Sequence, residues 1–343
     1  MVTPSLAKVR KILVCQQRQI GDVVLAIPVI DLLAQRFPDA AIHFFTEKKC
    51  APILENHPAL DRIWTLDKSA TFSGQLGLYA ALGRQRFDLV VDLQQLPRCR
   101  FVTLFSLSPI RLSYTPRWYN RLLYNLHADP EPGYAAQSKA SILAPLGITW
   151  NGELPRIHLR EQEQDRAVSY MLKLGVGPED MFITVDPTHK RVTRRWPPHH
   201  FSTLLRMASD RWPQAKFLVL FGPGEAQEVR GIVRASGSTC CLLPDRVLSL
   251  RESAALMQKA RLHLGTCSAP RHIAAAVGTP TLTIMGSTTP DSWTCPSGPH
   301  DVAVFDLECR PCNRDQCDTL RCLEHLEPEK VLEKMGKMLI DQG

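Results

Sequence analysis

The residues best suited to chemistry stand at four junctions, each following a short apolar run and leading toward a helical stretch. The first is Gly21-Asp22. Glycine lets the chain turn tightly, and a carboxylate in a first helical turn is stabilised by the positive end of the helix. Asp22 therefore reads either as a helix cap or as a base accepting the proton of a hydroxyl nucleophile. The second is DPTHKRVTRRWP, from Asp186 to Pro197, in which Lys190, Arg191, Arg194 and Arg195 offer partners for a phosphate. Trp196 reads as the packing residue that fixes this segment. The third is Phe221-Gly-Pro-Gly-Glu225, a turn that permits close approach of a nucleotide, with Glu225 able to accept from ribose hydroxyls. The fourth, GTCSAPRHIAAAV from Gly265 to Val277, places Thr266, Ser268 and the amides of a helix start where a diphosphate can be cradled. His272 in that helix reads either as a contact to phosphate or sugar or as a core histidine.

Such junctions need strands in front of them. Val9 to Cys15, Ala40 to Thr46 and Phe87 to Leu93 supply strands in the first half, and Asp180 to Asp186, Ala215 to Phe221, Arg261 to Gly265 and Pro280 to Met285 in the second. Short strands alternating with helical stretches specify parallel sheets and an α/β fold. Pro28 lies inside the apolar stretch Ile20 to Phe37 and is expected to kink or break that helix. Turn-rich residues between Pro145 and Pro155, followed by the polar stretch Arg160 to Asp165, divide the chain into domains 1–160 and 161–343. Open α/β sheets bind ligands outside the carboxyl ends of their strands, so the junctions are expected to line a crevice between two such domains.

Hydrophobic residues make up 44% and charged residues 22%, with 26 Pro and 19 Gly spread along the chain, which excludes a fibrous, coiled-coil or disordered protein. No uncharged apolar run reaches the ~18 residues of a membrane span, and the first residues lack the apolar core of a secretory signal, so a cytoplasmic protein is expected. The net charge of +7 arises in residues 1–160, with 19 basic and 12 acidic side chains against 22 of each in residues 161–343. Leu93 to Ala128 contains Arg98, Arg100, Arg111, Arg117 and Arg121, no Asp or Glu, and the aromatics Tyr114, Trp118, Tyr119 and Tyr124. Arginine forks suit phosphate and carboxylate oxygens, so a polyanionic substrate or an anionic membrane surface fits this segment. Nucleic acid fits the charge but finds no binding motif here and is not expected.

Taken in order, IGDVVLAIPVIDLL near the start, VDLQ at 91–94, RRWPPHHFSTLL, FGPGE, HIAAAVGTPTLTIMG and a Cys-rich tail closely resemble the heptosyltransferase family of bacterial lipopolysaccharide assembly, glycosyltransferase family nine, over almost the whole chain. The resemblance implies a GT-B fold of two Rossmann-like domains, with an acceptor side on the first and a nucleotide-sugar side on the second. It implies inverting transfer of heptose from the donor substrate ADP-heptose to an anionic inner-core glycolipid acceptor, with peripheral contact at the cytoplasmic face of the inner membrane. It implies no cofactor, no catalytic metal and no partner protein. By motif, Asp22 is the implied base, Arg194 stands where the family has a donor-phosphate lysine, Glu225 where it has a ribose-contacting glutamate, and His272 opens the last donor-site helix. Thr188, Cys267 and Ser268 complete the expected donor set, and Arg98, Arg100, Arg117 and Arg121 are the expected acceptor contacts. The family usually carries Asp-Ser/Thr-Gly where this chain has Cys267-Ser268-Ala269, and a neutral thiol lacks a carboxylate's charged acceptors. That departure keeps open a nucleotide- or glycolipid-binding scaffold without turnover, or a related transferase with another donor. The tail cysteines Cys309, Cys312, Cys317 and Cys322 are compatible with three states: reduced thiols, a tetrahedral structural zinc site, or disulfides.

Overall fold

The computed structural model describes residues 6–340, and the chain divides into two compact units between His158 and Leu159. The first unit is built on six parallel strands: β1 (Lys11–Cys15), β2 (Ala41–Glu47), β3 (Arg62–Leu66), β4 (Leu89–Asp92), β5 (Ile110–Tyr114) and β6 (Leu126–Ala128). Their order is β3-β2-β1-β4-β5-β6. Ile12 to Cys15 and all of β4 are buried, which is why these strands read as unbroken apolar runs rather than as alternating ones. The strand order reverses between β1 and β4, the topological switch point at which an open sheet receives its ligand.

The apolar stretch after β1 forms two helices, Ile20–Val24 and Ile27–Arg36. Pro28 occupies the first turn of the second, where a missing N–H has no intrahelical acceptor to lose. The break lies just before it.

The second unit repeats the plan with β7 (Met181–Asp186), β8 (Ala215–Val219), β9 (Cys241–Leu242), β10 (Leu262–Thr266), β11 (Thr281–Ile284) and β12 (His300–Ala303), all parallel, in the order β12-β11-β10-β7-β8-β9. Its switch point lies between β7 and β10. Trp196 is fully buried against the Phe201 ring, centroids 4.8 Å apart, and its Nε1 donates to the Leu326 carbonyl at 2.9 Å. Truncating such a side chain to alanine costs about 3–5 kcal/mol. Because Trp196 immediately precedes the helix Pro198–Arg211, its burial also fixes the basic loop in front of it. Gly286 closes that loop from the other side: a Cβ there would fall 2.2 Å from the Thr193 carbonyl oxygen, so only glycine lets the loop approach the end of β11.

Candidate active site

At the carboxyl edge of the first sheet, the loops after β1 and β4 are tied together. The Gln94 Oε1 accepts from the backbone N–H groups of Gln17 and Arg18, at 3.0 and 3.1 Å. Asp92, at the end of β4, accepts from the N–H groups of Gln94 and Gln95, both at 2.9 Å, and from the Tyr124 hydroxyl at 2.6 Å. Burial pushes its carboxyl up, opposed by these donors. With its acceptors occupied, Asp92 positions the loop, and the VDLQ run is a clamp across the switch point.

Asp22 lies in the first turn of the helix Ile20–Val24. One carboxylate oxygen accepts from the Gln19 N–H at 3.3 Å, a capping contact, while the other lies 3.3 Å from the Lys139 ammonium. Lys139 is buried and also donates to Gln16 Oε1 at 3.1 Å. The Asp22 side chain keeps 31% of its surface exposed, so an oriented carboxylate with a fixed counter-charge remains open to a substrate hydroxyl. The capping contact thus uses one oxygen of the group and the Lys139 contact the other. Sequence reasoning missed Lys139, whose only trace is a single cation in the small-residue helix Ala135–Ser141.

A cavity of about 410 Å³ opens beside this loop, lined in part by Gln17, Arg18, Lys68, Tyr79 and Arg98. Of the four expected acceptor arginines, only Arg98 lines it. Arg100 donates to Asn120 Oδ1 at 2.9 Å, and Arg117 and Arg121 are exposed on either side of the turn Trp118–Asn120. Arg111, from the same acid-free stretch, binds the Ser108 and Leu123 carbonyls at 2.5 and 2.6 Å and so serves the fold.

The carboxyl edge of the second sheet gathers Asp186, Thr188, Glu225 and Ser268 at its own switch point. The buried Asp186 accepts a short hydrogen bond from the Ser268 hydroxyl. Desolvation pushes its carboxyl up to about 7, and the neighbouring Glu225 adds to the rise against the Ser268 contact. Thr188 Oγ1 donates to Glu225 Oε2 at 2.8 Å, and the Gly222 N–H donates to the same oxygen at 2.7 Å. A Cβ on residue 222 would stand 3.0 Å from that oxygen, so a side chain there would press on the Glu225 carboxylate. Thr266 Oγ1 donates to the Thr188 carbonyl at 2.9 Å, joining the β7 and β10 loops. Asp186 entered the sequence reading as the end of a strand and the start of the basic junction, with no role of its own; an acid closing an otherwise apolar buried run was the available signal.

Ser268 heads the helix Ala269–Ala276 with extended backbone and makes no side-chain cap to its first turn. Cys267, beside it, is buried. His272 is buried in that helix 6.0 Å from the Trp293 ring, and desolvation with the Arg271 charge holds it neutral. The four cations of the basic loop separate by their partners. Arg191 pairs with Asp315 at 2.6 Å, Arg195 pairs with Glu228, and Lys190 is exposed. The buried Arg194 Nε has no hydrogen-bond partner among the described residues. His189 in the same loop is pushed down to about 4 by burial and by the Arg194 charge, leaving a neutral imidazole.

None of the eleven cysteines forms a disulfide among the described residues. Burial pushes the Cys322 thiol up, and Cys309, Cys312 and Cys317 add to this. Among the described residues, the group whose ligand atoms all lie within 4.8 Å of one another is His199, His200 and Glu324; the four tail thiols form no such group. No helix among the described residues is long and apolar enough to cross a membrane.

Residues 76–322 match the family model of glycosyltransferase family 9 (heptosyltransferase). Over 289 residues the chain is 27% identical to lipopolysaccharide heptosyltransferase 3 of Escherichia coli strain K12, covering 80% of this chain and 81% of that protein. The glycosyl transferase family 9 structure from Veillonella parvula superposes with a TM-score of 0.86 at 20% identity, covering 97% of this chain and 98% of the other. The E. coli heptosyltransferase WaaC with ADP-2-deoxy-2-fluoro heptose superposes with a TM-score of 0.73 at 18% identity, covering 95% and 99%. The two parallel six-stranded sheets are those of the GT-B fold, and with the family model matched across most of its length the chain belongs to glycosyltransferase family 9, the heptosyltransferases, and is a glycosyltransferase.

Proposed function

We propose that this glycosyltransferase moves heptose from ADP-heptose to an anionic inner-core lipopolysaccharide acceptor at the cytoplasmic face of the inner membrane, with inversion at the anomeric carbon. The second unit binds the donor. Arg194 and the uncapped first turn behind Ser268 face the diphosphate, while Thr188 and Glu225 present polar groups to the ribose. The first unit binds the acceptor through Arg98, with Arg100, Arg117 and Arg121 on the surrounding surface. The acceptor oxygen forms its bond to the anomeric carbon as the bond from that carbon to the diphosphate oxygen breaks. The electron pair of the broken bond leaves with ADP, and the hydroxyl proton passes to Asp22. Charge develops on the leaving diphosphate, where preorganised donors act most strongly.

The observation that carries this reading is the contrast between Arg194, whose buried Nε lacks a partner, and its neighbours Arg191 and Arg195, each held by a carboxylate. A buried guanidinium donor left unpaired is costly unless an anion completes it. The heptose analogue in the WaaC complex supports the choice of donor, and the E. coli heptosyltransferase 3 relationship supports the choice of acceptor. The test is product formation from ADP-heptose and a defined inner-core glycolipid, with single-turnover rates for wild type and Asp22→Asn. A folded Asp22→Asn enzyme should bind ADP normally and slow by about 10²- to 10⁴-fold. An unchanged rate would leave Asp22 only its capping role, and donor binding without turnover in wild type would favour the scaffold reading.

A further inference from the structure

The first unit carries an apolar surface that its fold does not use. The helices Phe72–Gly83 and Pro97–Ser106 pack closely: a Cβ on Gly83 would stand 2.5 Å from the Phe105 carbonyl oxygen, and Tyr79 lies 6.0 Å from both the Phe101 and Phe105 rings. Their outer faces nevertheless stay apolar. Phe72 and Leu76, one turn apart on the first helix, are 83% and 43% exposed, and Phe101 and Leu104 on the second are 50% and 56% exposed. Arg100 extends this surface through its hydrogen bond to Asn120, which ties the second helix to the turn Trp118–Asn120, where Trp118 is 86% exposed.

Charge indicates what this surface meets. Residues 68–87 and 93–128 contain no Asp or Glu, so these helices and the turn carry cations only. Lys68 is held by Glu47 at 2.7 Å, but among the described residues no carboxylate pairs with Arg98, Arg117 or Arg121. Apolar side chains ringed by arginine, with an exposed tryptophan among them, match the chemistry of the boundary between acyl chains and anionic headgroups. A protein partner reached mainly through its backbone and apolar groups would not require so complete a lack of acids.

We propose that the outer faces of the helices Phe72–Gly83 and Pro97–Ser106, together with the turn Trp118–Asn120, dock this enzyme on an anionic lipid bilayer. This rests on the glycolipid reading above and deepens it. Phe72, Leu76, Phe101 and Arg98 belong both to this face and to the cavity beside the Gln17–Arg18 loop, while Leu104 and Trp118 lie outside its lining, so a glycolipid anchored in the bilayer presents its sugars toward that loop without leaving the membrane.

The test is vesicle co-sedimentation of the full chain, using phosphatidylcholine vesicles with and without about 30% phosphatidylglycerol. The variant is Leu104→Glu with Trp118→Ser, both outside the cavity lining. Wild type should prefer the anionic vesicles, and the variant should bind them about tenfold more weakly or worse. Turnover should then fall on vesicle-embedded acceptor and stay unchanged on a deacylated acceptor oligosaccharide. Equal vesicle binding by both proteins would overturn the proposal, as would wild-type self-association in sedimentation velocity that the variant abolishes, since the occupant would then be a second copy. If neither acceptor were glycosylated while the vesicle results held, the substrate reading would fail and the docking face would stand.

Discussion

Asp186→Asn isolates the electrostatics of the second unit's switch point. In the folded chain desolvation, helped by Glu225, raises this carboxyl from 3.8 to about 7 despite the Ser268 hydrogen bond. A carboxyl raised by folding binds its proton more tightly in the native state than in the unfolded one. Its contribution to stability is therefore complete below pH 3.8 and is lost as the pH rises through about 7. The whole span corresponds to about 4 kcal/mol, of which about 3 kcal/mol falls between roughly pH 5 and pH 8. Asparagine keeps an oxygen to accept from Ser268 and carries no charge at any pH. Urea unfolding of both proteins across this range, followed by tryptophan fluorescence, should show the wild type losing about 3 kcal/mol relative to the variant, with the variant the more stable at the alkaline end. Parallel stability curves would mean that Asp186 does not titrate there, and the argument from its burial would be wrong.

Arg194→Ala should weaken ADP binding by about tenfold or more, with Arg194→Lys in between because it restores the charge without the guanidinium fork. Calorimetric titration decides this, and equal affinities would transfer the role to another cation of the loop. Lys139→Met removes the counter-charge that orients Asp22, so kcat should fall about tenfold while ADP affinity stays constant; a change confined to KM would contradict a positioning role. Cys267→Asp should weaken ADP binding unless combined with Asp186→Asn, and additive effects of the two substitutions would refute their coupling.

How far the sequence could be read depends on where each element lies. β1, β4, β7 and β10 are central and buried, so solvent leaves no mark on their pattern, and they stand out as apolar runs. β3, at one edge, exposes Arg62 and Thr65, β5 interleaves Ile110 and Leu112 with Arg111 and Ser113, β6 spans three residues, β9 spans two and β12 reads HDVA; none carries an unbroken apolar run, and the sequence reading passed over all five. The site divides in a similar way. Asp22, Arg194 and Glu225 lie where the chain passes from β1, β7 and β8 into the next helix, and were visible as chemistry-bearing residues at those junctions. Lys139 reaches Asp22 from a helix near the end of the unit, and Asp186 meets Ser268 from a strand far earlier in the chain, so both pairings depend on tertiary contacts that local pattern does not encode. Charge pattern also failed to separate Arg100, which holds the Asn120 side chain, from Arg98, which lines the cavity.

The Ser268–Asp186 bond also gives a physical account of the thiol at position 267. A serine heading a helix ordinarily turns its hydroxyl oxygen to a first-turn N–H, but here the hydroxyl donates to Asp186 and the helix starts without that cap. Pro270 brings no N–H of its own, so the remaining first-turn amides are left to an outside acceptor, which in the proposed reaction is the diphosphate. The carboxylate that diverts Ser268 already stands near Glu225 and is itself held close to neutral by burial. In the proposed reaction a further acid at position 267, next to Ser268, would add negative charge where the diphosphate binds. Cysteine brings no carboxylate to position 267, and the carboxylate that meets Ser268 comes instead from Asp186 at the end of β7.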